Sequence, residues 1–297
     1  MISTHNEWGK LRKVILGTVE NFNFSTKDTF YKKFPSDRIF HGPAPNKVIE
    51  EQTEALNIFE KELKNLDVEV LRPYPIDYVR LDAFGAYCTR DTILVIGDKI
   101  FMTPTVMPTR TVEWESMLPY LGDNIYYPEN DDIIFDAANV MRCNNDILYL
   151  VSFSGNEAGA DWLETILGPE YTVHRLRDVY NGMHLDTTII PLRDGLVMLN
   201  SDRIKEDSLP NFMQSWQKIW IEHDDLVVVP GWEHLSSNWM GMNILSYDEN
   251  TIFCDTIQTR LRKKLENNGI DTIGVNLPHA KMLMGGHHCC TLDLVRD

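Results

Sequence analysis

The sequence predicts an α/β fold, a single domain over residues 1–297 made of five ββαβ modules and closed into a five-bladed propeller with pseudo-fivefold symmetry. Three observations predict it. Tight polar turns recur at Gly97-Asp98, Asn144-Asn145, Asp194-Gly195 and Glu249-Asn250, 47 to 55 residues apart, each between two apolar runs of strand length. Amphipathic segments with helical spacing follow the hairpins, most of them trailed by one more short apolar run. A further period past the last turn overshoots the C-terminus, so strand 291–295 must find its partner in the first strand, 13–17, and the chain closes on itself.

The elements follow in order. Strand 13–17 opens the chain, and helix 48–66 with strand 68–71 completes its module. Hairpin 92–102 leads to helix 112–121. Hairpin 139–151 leads to helix 158–167 and strand 171–176. Hairpin 187–199 leads to helix 209–220 and strand 226–229, and hairpin 242–254 to helix 256–268 and strand 272–276. Residues 19–46, rich in aromatics, Lys, Ser and Pro, show no clean period and exceed an ordinary connection, so they read as a lid or surface loop.

Composition narrows the function classes. Lys and Arg number 28 against 44 Asp and Glu, a net charge of −16, which argues against a nucleic-acid surface built from clustered cations. No apolar run approaches a membrane span, and the start lacks the pattern of a signal or transit peptide, so a cytoplasmic location is expected. The five cysteines, Cys88, Cys143, Cys254, Cys289 and Cys290, form no disulfide framework. Neither Gly-x-Gly-x-x-Gly nor a phosphate-binding Gly-Lys-Ser/Thr loop is present; no cofactor is expected.

The chemically able residues share one phase of the repeat. Asp91 precedes the first hairpin and Asp136 the second, His184 and Asp186 the third, Ser236-Ser237 the fourth, and Cys289-Cys290 the closing strand. In a closed propeller such positions converge near the axis. Asp and Ser also favour turns for local reasons, so each alone says little. Cys289 follows Gly285-Gly286-His287-His288, where glycines permit close approach and imidazoles favour a thiolate; Cys290 points to the other face of an extended strand and reads as core. A metal site at His287–Cys290 is disfavoured, because neighbouring residues on a strand alternate faces.

Taken in order, Asn6-Glu7-Trp8-Gly9, Arg90-Asp91, Phe135-Asp136-Ala137-Ala138, Met183-His184-Leu185-Asp186-Thr187-Thr188, Asn200-Ser201-Asp202-Arg203, Ser236-Ser237-Asn238-Trp239 and Gly285-Gly286-His287-His288-Cys289 resemble the amidinotransferases across nearly the whole chain. The pattern looks nearest to the arginine:glycine branch, with inosamine-phosphate enzymes as relatives. The resemblance implies a five-bladed α/β propeller, Cys289 as nucleophile, His184 as general acid and base, and Asp136 as the carboxylate orienting His184. It further implies that Asp91 and Asp186 grip a guanidinium, that Arg203, Ser236 and Ser237 receive an α-carboxylate, and that Met183 and Asn181 border the acceptor pocket. The implied reaction is ping-pong: amidino transfer from arginine to glycine, giving ornithine and guanidinoacetate. Asn139, where many relatives carry Asp, and His287 and Cys290, where they carry bulkier residues, depart from the pattern, and the segment between Asp91 and Asp136 looks short.

The alternatives are a deiminase or other guanidino hydrolase, in which water attacks the same intermediate; another acceptor such as lysine; or a catalytically dead propeller that only binds. The partners expected are small molecules, with a homodimer left open.

Overall fold

The computed structural model describes residues 2–28, 41–233 and 235–297. Five three-stranded sheets recur along the chain, each an antiparallel pair whose inner strand also takes a parallel neighbour. Leu11–Leu16 lies between Thr291–Arg296, antiparallel, and Glu69–Leu71, parallel, with Val14 opposite Asp293 and Leu16 opposite Thr291. The second sheet joins Ile93–Ile96, Lys99–Met102 and Ile125–Tyr126, and the third Val140–Cys143, Asp146–Leu150 and Thr172–Leu176. Ile189–Arg193, Leu196–Asn200 and Gln217–Ile221 make the fourth; Leu245–Ser246, Thr251–Cys254 and Asp271–Gly274 make the fifth. The turns carry the left-handed residues that tight hairpins need, Gly97 at φ 59°, Asn144 at φ 61° and Gly195 at φ 77°.

The apolar core is divided among the gaps between sheets. Ile15, Ile93, Ile100 and Leu292 join the first sheet to the second, and Phe101, Phe135, Tyr149 and Leu163 the second to the third. Met141, Leu148, Val197 and Leu199 join the third to the fourth. Ile190, Met198, Ile252 and Leu261 join the fourth to the fifth, while Leu16, Phe59, Leu245 and Phe253 return from the fifth to the first. Each sheet thus buries both faces, one against the module before it and one against the module after.

Helix Asn46–Asn65 shows how the sequence drives this packing. Val48, Gln52, Ala55, Leu56, Phe59 and Leu63 fall on one buried face, at the three- and four-residue steps that align side chains along a helix. Truncating Leu56, 1% exposed, costs about 2–5 kcal/mol by removing buried methylenes and leaving a void. Helices Val112–Met117, Glu157–Leu167 and Thr259–Glu266 occupy the same place in the second, third and fifth modules. Among the described residues, no helix is long and apolar enough to cross a membrane.

Two expectations are corrected. Helix 209–220 does not form: Glu206–Ser208 and Asn211–Met213 are single 3-10 turns, and strand Gln217–Ile221 occupies the expected end of the helix. Pro210 lacks the N–H a continuing helix requires, and Ile219 and Ile221 bury alternate positions, a period of two rather than 3.6. Since that strand supplies the parallel partner, 226–229 is not a strand, and the fourth module lacks the α of ββαβ. Of segment 19–46, residues 29–40 lie outside the described residues. Its described flanks are packed rather than loose: Asn23–Phe24 pairs with Gly42–Pro43, and Phe22 stands edge-on to Phe24 and Phe84, both at 5.1 Å.

Candidate active site

The approach to each antiparallel pair brings one set of polar side chains to a common place. Asp91 closes the 3-10 turn Thr89–Asp91 ahead of the second sheet, and Asp136 precedes the turn Ala137–Asn139 ahead of the third. His184 and Asp186 lie just before Ile189–Arg193, and Cys289 just before Thr291–Arg296. Asp91, His184, Asp186 and Cys289 line one open cavity of about 280 Å³ together with Arg110, Tyr180, Met183, Arg203, Ser236 and Ser237. Asp136 stands behind His184.

The Cys289 sulfur lies 3.0 Å from Asp186 Oδ2 and 3.0 Å from the Asn243 amide nitrogen. Its hydrogen bond with Cys88 pushes its pKa well above the ordinary thiol value; burial and the charges of Asp186 and Asp91 add to this, and His184 opposes it. His184 Nε2 donates to Asp136 Oδ2 at 3.0 Å, and its Nδ1 faces Asp91 Oδ1 at 3.9 Å. Burial disfavours the imidazolium, but the Asp91 charge and the Asp136 hydrogen bond outweigh it and hold the pKa well above 6.5. The ring is held by its backbone: His184 sits at φ 66° and its N–H donates to Asn139 Oδ1 at 3.1 Å. Asn139 also accepts from Ser154 Oγ at 2.9 Å and donates to the Leu150 carbonyl at 3.0 Å.

The two guanidinium-gripping candidates differ. Burial pushes the Asp91 pKa up against the pull of His184 and Arg110; its Oδ2 accepts from Arg110 at 2.7 Å, and its buried Oδ1 has no hydrogen-bond partner. That orphaned oxygen suits a donor brought by a ligand. For Asp186, burial is overcome by the hydrogen bond and charge of His288, and its carboxyl stays well below the usual range. Asp91, His184 and Cys289 place one polar atom each within 4.8 Å of one another, which is the spacing of a metal cluster. His184 Nε2 is already taken by Asp136 Oδ2 at 3.0 Å and Asp91 Oδ2 by Arg110 at 2.7 Å, so the trio is tied up by protein partners rather than left open around an ion.

Also in the lining, Arg203 donates to Thr187 Oγ1 at 2.7 Å and Ser237 Oγ at 3.1 Å, and its guanidinium lies 4.1 Å over the Tyr180 ring. Among the described residues it has no carboxylate partner. Ser236 spends its hydroxyl proton on the Lys281 carbonyl at 2.9 Å, and Met183 lines the cavity wall. Asn181 is exposed and is not among the described lining residues, though its neighbours Tyr180, Gly182 and Met183 are.

Sequence reasoning missed Asn243, Arg110, Cys88 and Tyr180. Asn243 was findable: it stands two residues before strand Leu245–Ser246, as Cys289 and Asp91 stand two before theirs. Arg110 lies in an irregular segment with no periodic signal, where it pairs with Asp91 and Glu113. The role of Asn6-Glu7-Trp8-Gly9 also becomes visible. Glu7 accepts three bonds from Arg142, two from its guanidinium at 2.7 and 2.8 Å and one from its backbone N–H at 3.1 Å, and His288 links it at 3.5 Å to the site by bonding Asp186 at 3.1 Å. A second cavity of about 130 Å³ has Asn243 and Gly286 in its lining and is lined by none of Cys289, His184 and Asp136.

No family model matches the chain. Individual proteins do. Inosamine-phosphate amidinotransferase 1 of Streptomyces griseus is 36% identical over an alignment of 337 positions, covering 100% of this chain and 97% of that protein. Mitochondrial glycine amidinotransferase of Gallus gallus is 30% identical, covering 99% of this chain and 83% of that protein. The solved structure of an inosamine-phosphate amidinotransferase from Streptomyces griseus superposes with a TM-score of 0.90 at 34% identity, covering 100% of this chain and 97% of that one. The chain belongs to the amidinotransferase family. It is an amidino-transferring enzyme, with identity higher to the inosamine-phosphate relative than to the glycine relative, the reverse of the order the motifs suggested.

Proposed function

We propose that this enzyme takes the amidino group of L-arginine onto Cys289 and passes it to an amine acceptor, glycine in the first reading, giving ornithine and guanidinoacetate. The whole chain acts as one catalytic domain, its five sheets arranged as the blades of a propeller around the site. The observation that carries the reading is the polarity of the cavity. Beside the thiol stand Asp186 and Asp91, one of whose oxygens has no hydrogen-bond partner, and elsewhere the lining holds Arg203 without a counter-ion among the described residues. Arginine has the matching polarity, a guanidinium at one end and a carboxylate at the other.

Binding of the cation neutralises Asp91 and Asp186, which removes two of the charges that hold the thiol proton, and the proton leaves to solvent through the cavity. The thiolate attacks the guanidinium carbon. His184 gives its proton to the departing nitrogen as the C–N bond breaks, ornithine leaves, and sulfur keeps the amidino group. His184, now neutral and held by Asp136, takes a proton from the acceptor amine as it attacks, and the C–S bond breaks to restore the thiolate.

Purified protein incubated with arginine, with and without glycine, tests this by mass spectrometry. Ornithine and guanidinoacetate in equal amounts support it; citrulline, or ornithine with urea in the presence of glycine, contradicts it in favour of a hydrolase. A second reading, with an inosamine phosphate as acceptor, is favoured by the higher identity to that relative. Ornithine release that responds to an aminocyclitol phosphate and not to glycine would select it.

A further inference from the structure

We propose that Asn243 is a further catalytic residue, a single amide that aims and hydrogen-bonds the Cys289 sulfur while fixing Asp186; this rests on the covalent reading above. Asn243 is buried and follows the 3-10 turn Asn238–Met242. Its Oδ1 accepts the Cys289 backbone N–H at 3.0 Å, and that donor decides which end of the amide is oxygen. The Nδ2 end therefore faces the sulfur at 3.0 Å and Asp186 Oδ2 at 2.8 Å. The main-chain oxygen of Asn243 also accepts the His287 N–H at 3.1 Å. Close approach is built in: a Cβ on Gly286 would sit 2.9 Å from Asn243 atoms, so only glycine lets the nucleophile segment pack here.

The chemistry needs such a group. Asp186, Asp91, Cys88 and His184 all act on the sulfur, and of these only His184 favours its anion. An amide N–H adds stabilisation of the thiolate without adding positive charge that would repel a guanidinium. As the S–C bond forms, negative charge leaves sulfur; when the acceptor expels the sulfur, the charge returns to an N–H already in place. Holding Asp186 with the same nitrogen also fixes the relative position of nucleophile and guanidinium clamp.

The test is a single turnover with labelled arginine and no acceptor, in which the amidino adduct on Cys289 is timed by intact-protein mass spectrometry. Donor affinity is measured separately by calorimetry in a Cys289→Ala background. Asn243→Ala is expected to slow adduct formation about a hundredfold while arginine affinity stays at the background level. Asn243→Asp keeps the shape and the acceptor for the Cys289 N–H but loses the donor to sulfur, and is expected to be slower still. Both should shift adduct formation to higher pH, a change that a purely structural role would not produce. Adduct formation at the wild-type rate in either variant overturns the proposal, as does an Asn243→Ala loss confined to donor affinity. If the wild-type protein forms no adduct, it is the covalent reading that fails.

Discussion

Two buried charge clusters lie side by side in this protein, and they are built on opposite rules. Glu7 and Asp293 are matched by Arg90, Arg142 and Arg296, three cations for two carboxylates, with Arg142 bridging both acids. At and beside the cavity, Asp91, Asp136, Asp186 and Glu113 pair, among the described residues, with one guanidinium, Arg110, and two imidazoles, His184 and His288, and one Asp91 oxygen has no hydrogen-bond partner. His288 is the physical link, touching Asp186 on one side and Glu7 on the other. The first cluster is complete and serves the fold. The second is short of positive charge, which is what the proposed cationic donor would supply.

That contrast can be broken at its strongest point by removing the nucleophile. Cys289→Ala should lower amidino transfer by about 10⁴-fold or more, measured as ornithine release, with the fold intact because the new side chain keeps the backbone bond to Asn243. Arg142→Met tests the other cluster. It takes both guanidinium bonds from Glu7 and one of three cations from Asp293, and should cost about 3–5 kcal/mol of stability, read by denaturant unfolding, with little change in donor affinity for the folded fraction. Asp91→Asn should do the reverse, lowering kcat/KM for arginine by about 10²–10³-fold while Tm stays level or rises, since a buried carboxylate with an idle oxygen is costly to keep. A variant at Asp91 that lost stability and kept activity would abolish the distinction between the clusters.

A subtler sharpening uses pH. The folded pKa of His184 is raised above 6.5, so its contribution to stability is full below pH 6.5 and is lost as pH climbs through the folded value. Asp91→Asn removes the principal favourable charge, and should move the His184 titration, followed by NMR, down towards 6.5 and flatten that alkaline loss. The smallest effect is expected at Asn139→Asp, which keeps the acceptor for the His184 N–H but gives up the bond to the Leu150 carbonyl, costing about 1 kcal/mol by thermal unfolding.

How far the sequence could lead depended on whether the determining interactions were local. Turns at Gly97, Asn144 and Gly195 were legible because left-handed backbone is a property of the residue itself. The pairing of the two termini was legible from the repeat, since an unfinished module at each end has one way to be completed. The fourth module was misread because apolar spacing in 209–220 mimics a helix, and only Pro210 and the alternation of Ile219 and Ile221 reveal the strand. At the site, the shared phase of Asp91, Asp136, His184 and Cys289 was visible. The bonds that tune them come from Arg110, Cys88 and Asn243, whose contacts exist only once distant modules meet.

The most direct measurement is intact-protein mass spectrometry of the wild-type chain quenched after mixing with labelled L-arginine and no acceptor, with peptide mapping of the product. The expected result is one amidino group per chain, located on Cys289, accompanied by one equivalent of ornithine and discharged when the acceptor is added. Ornithine or citrulline released through many turnovers without an acceptor, or label found on no cysteine, would contradict the account.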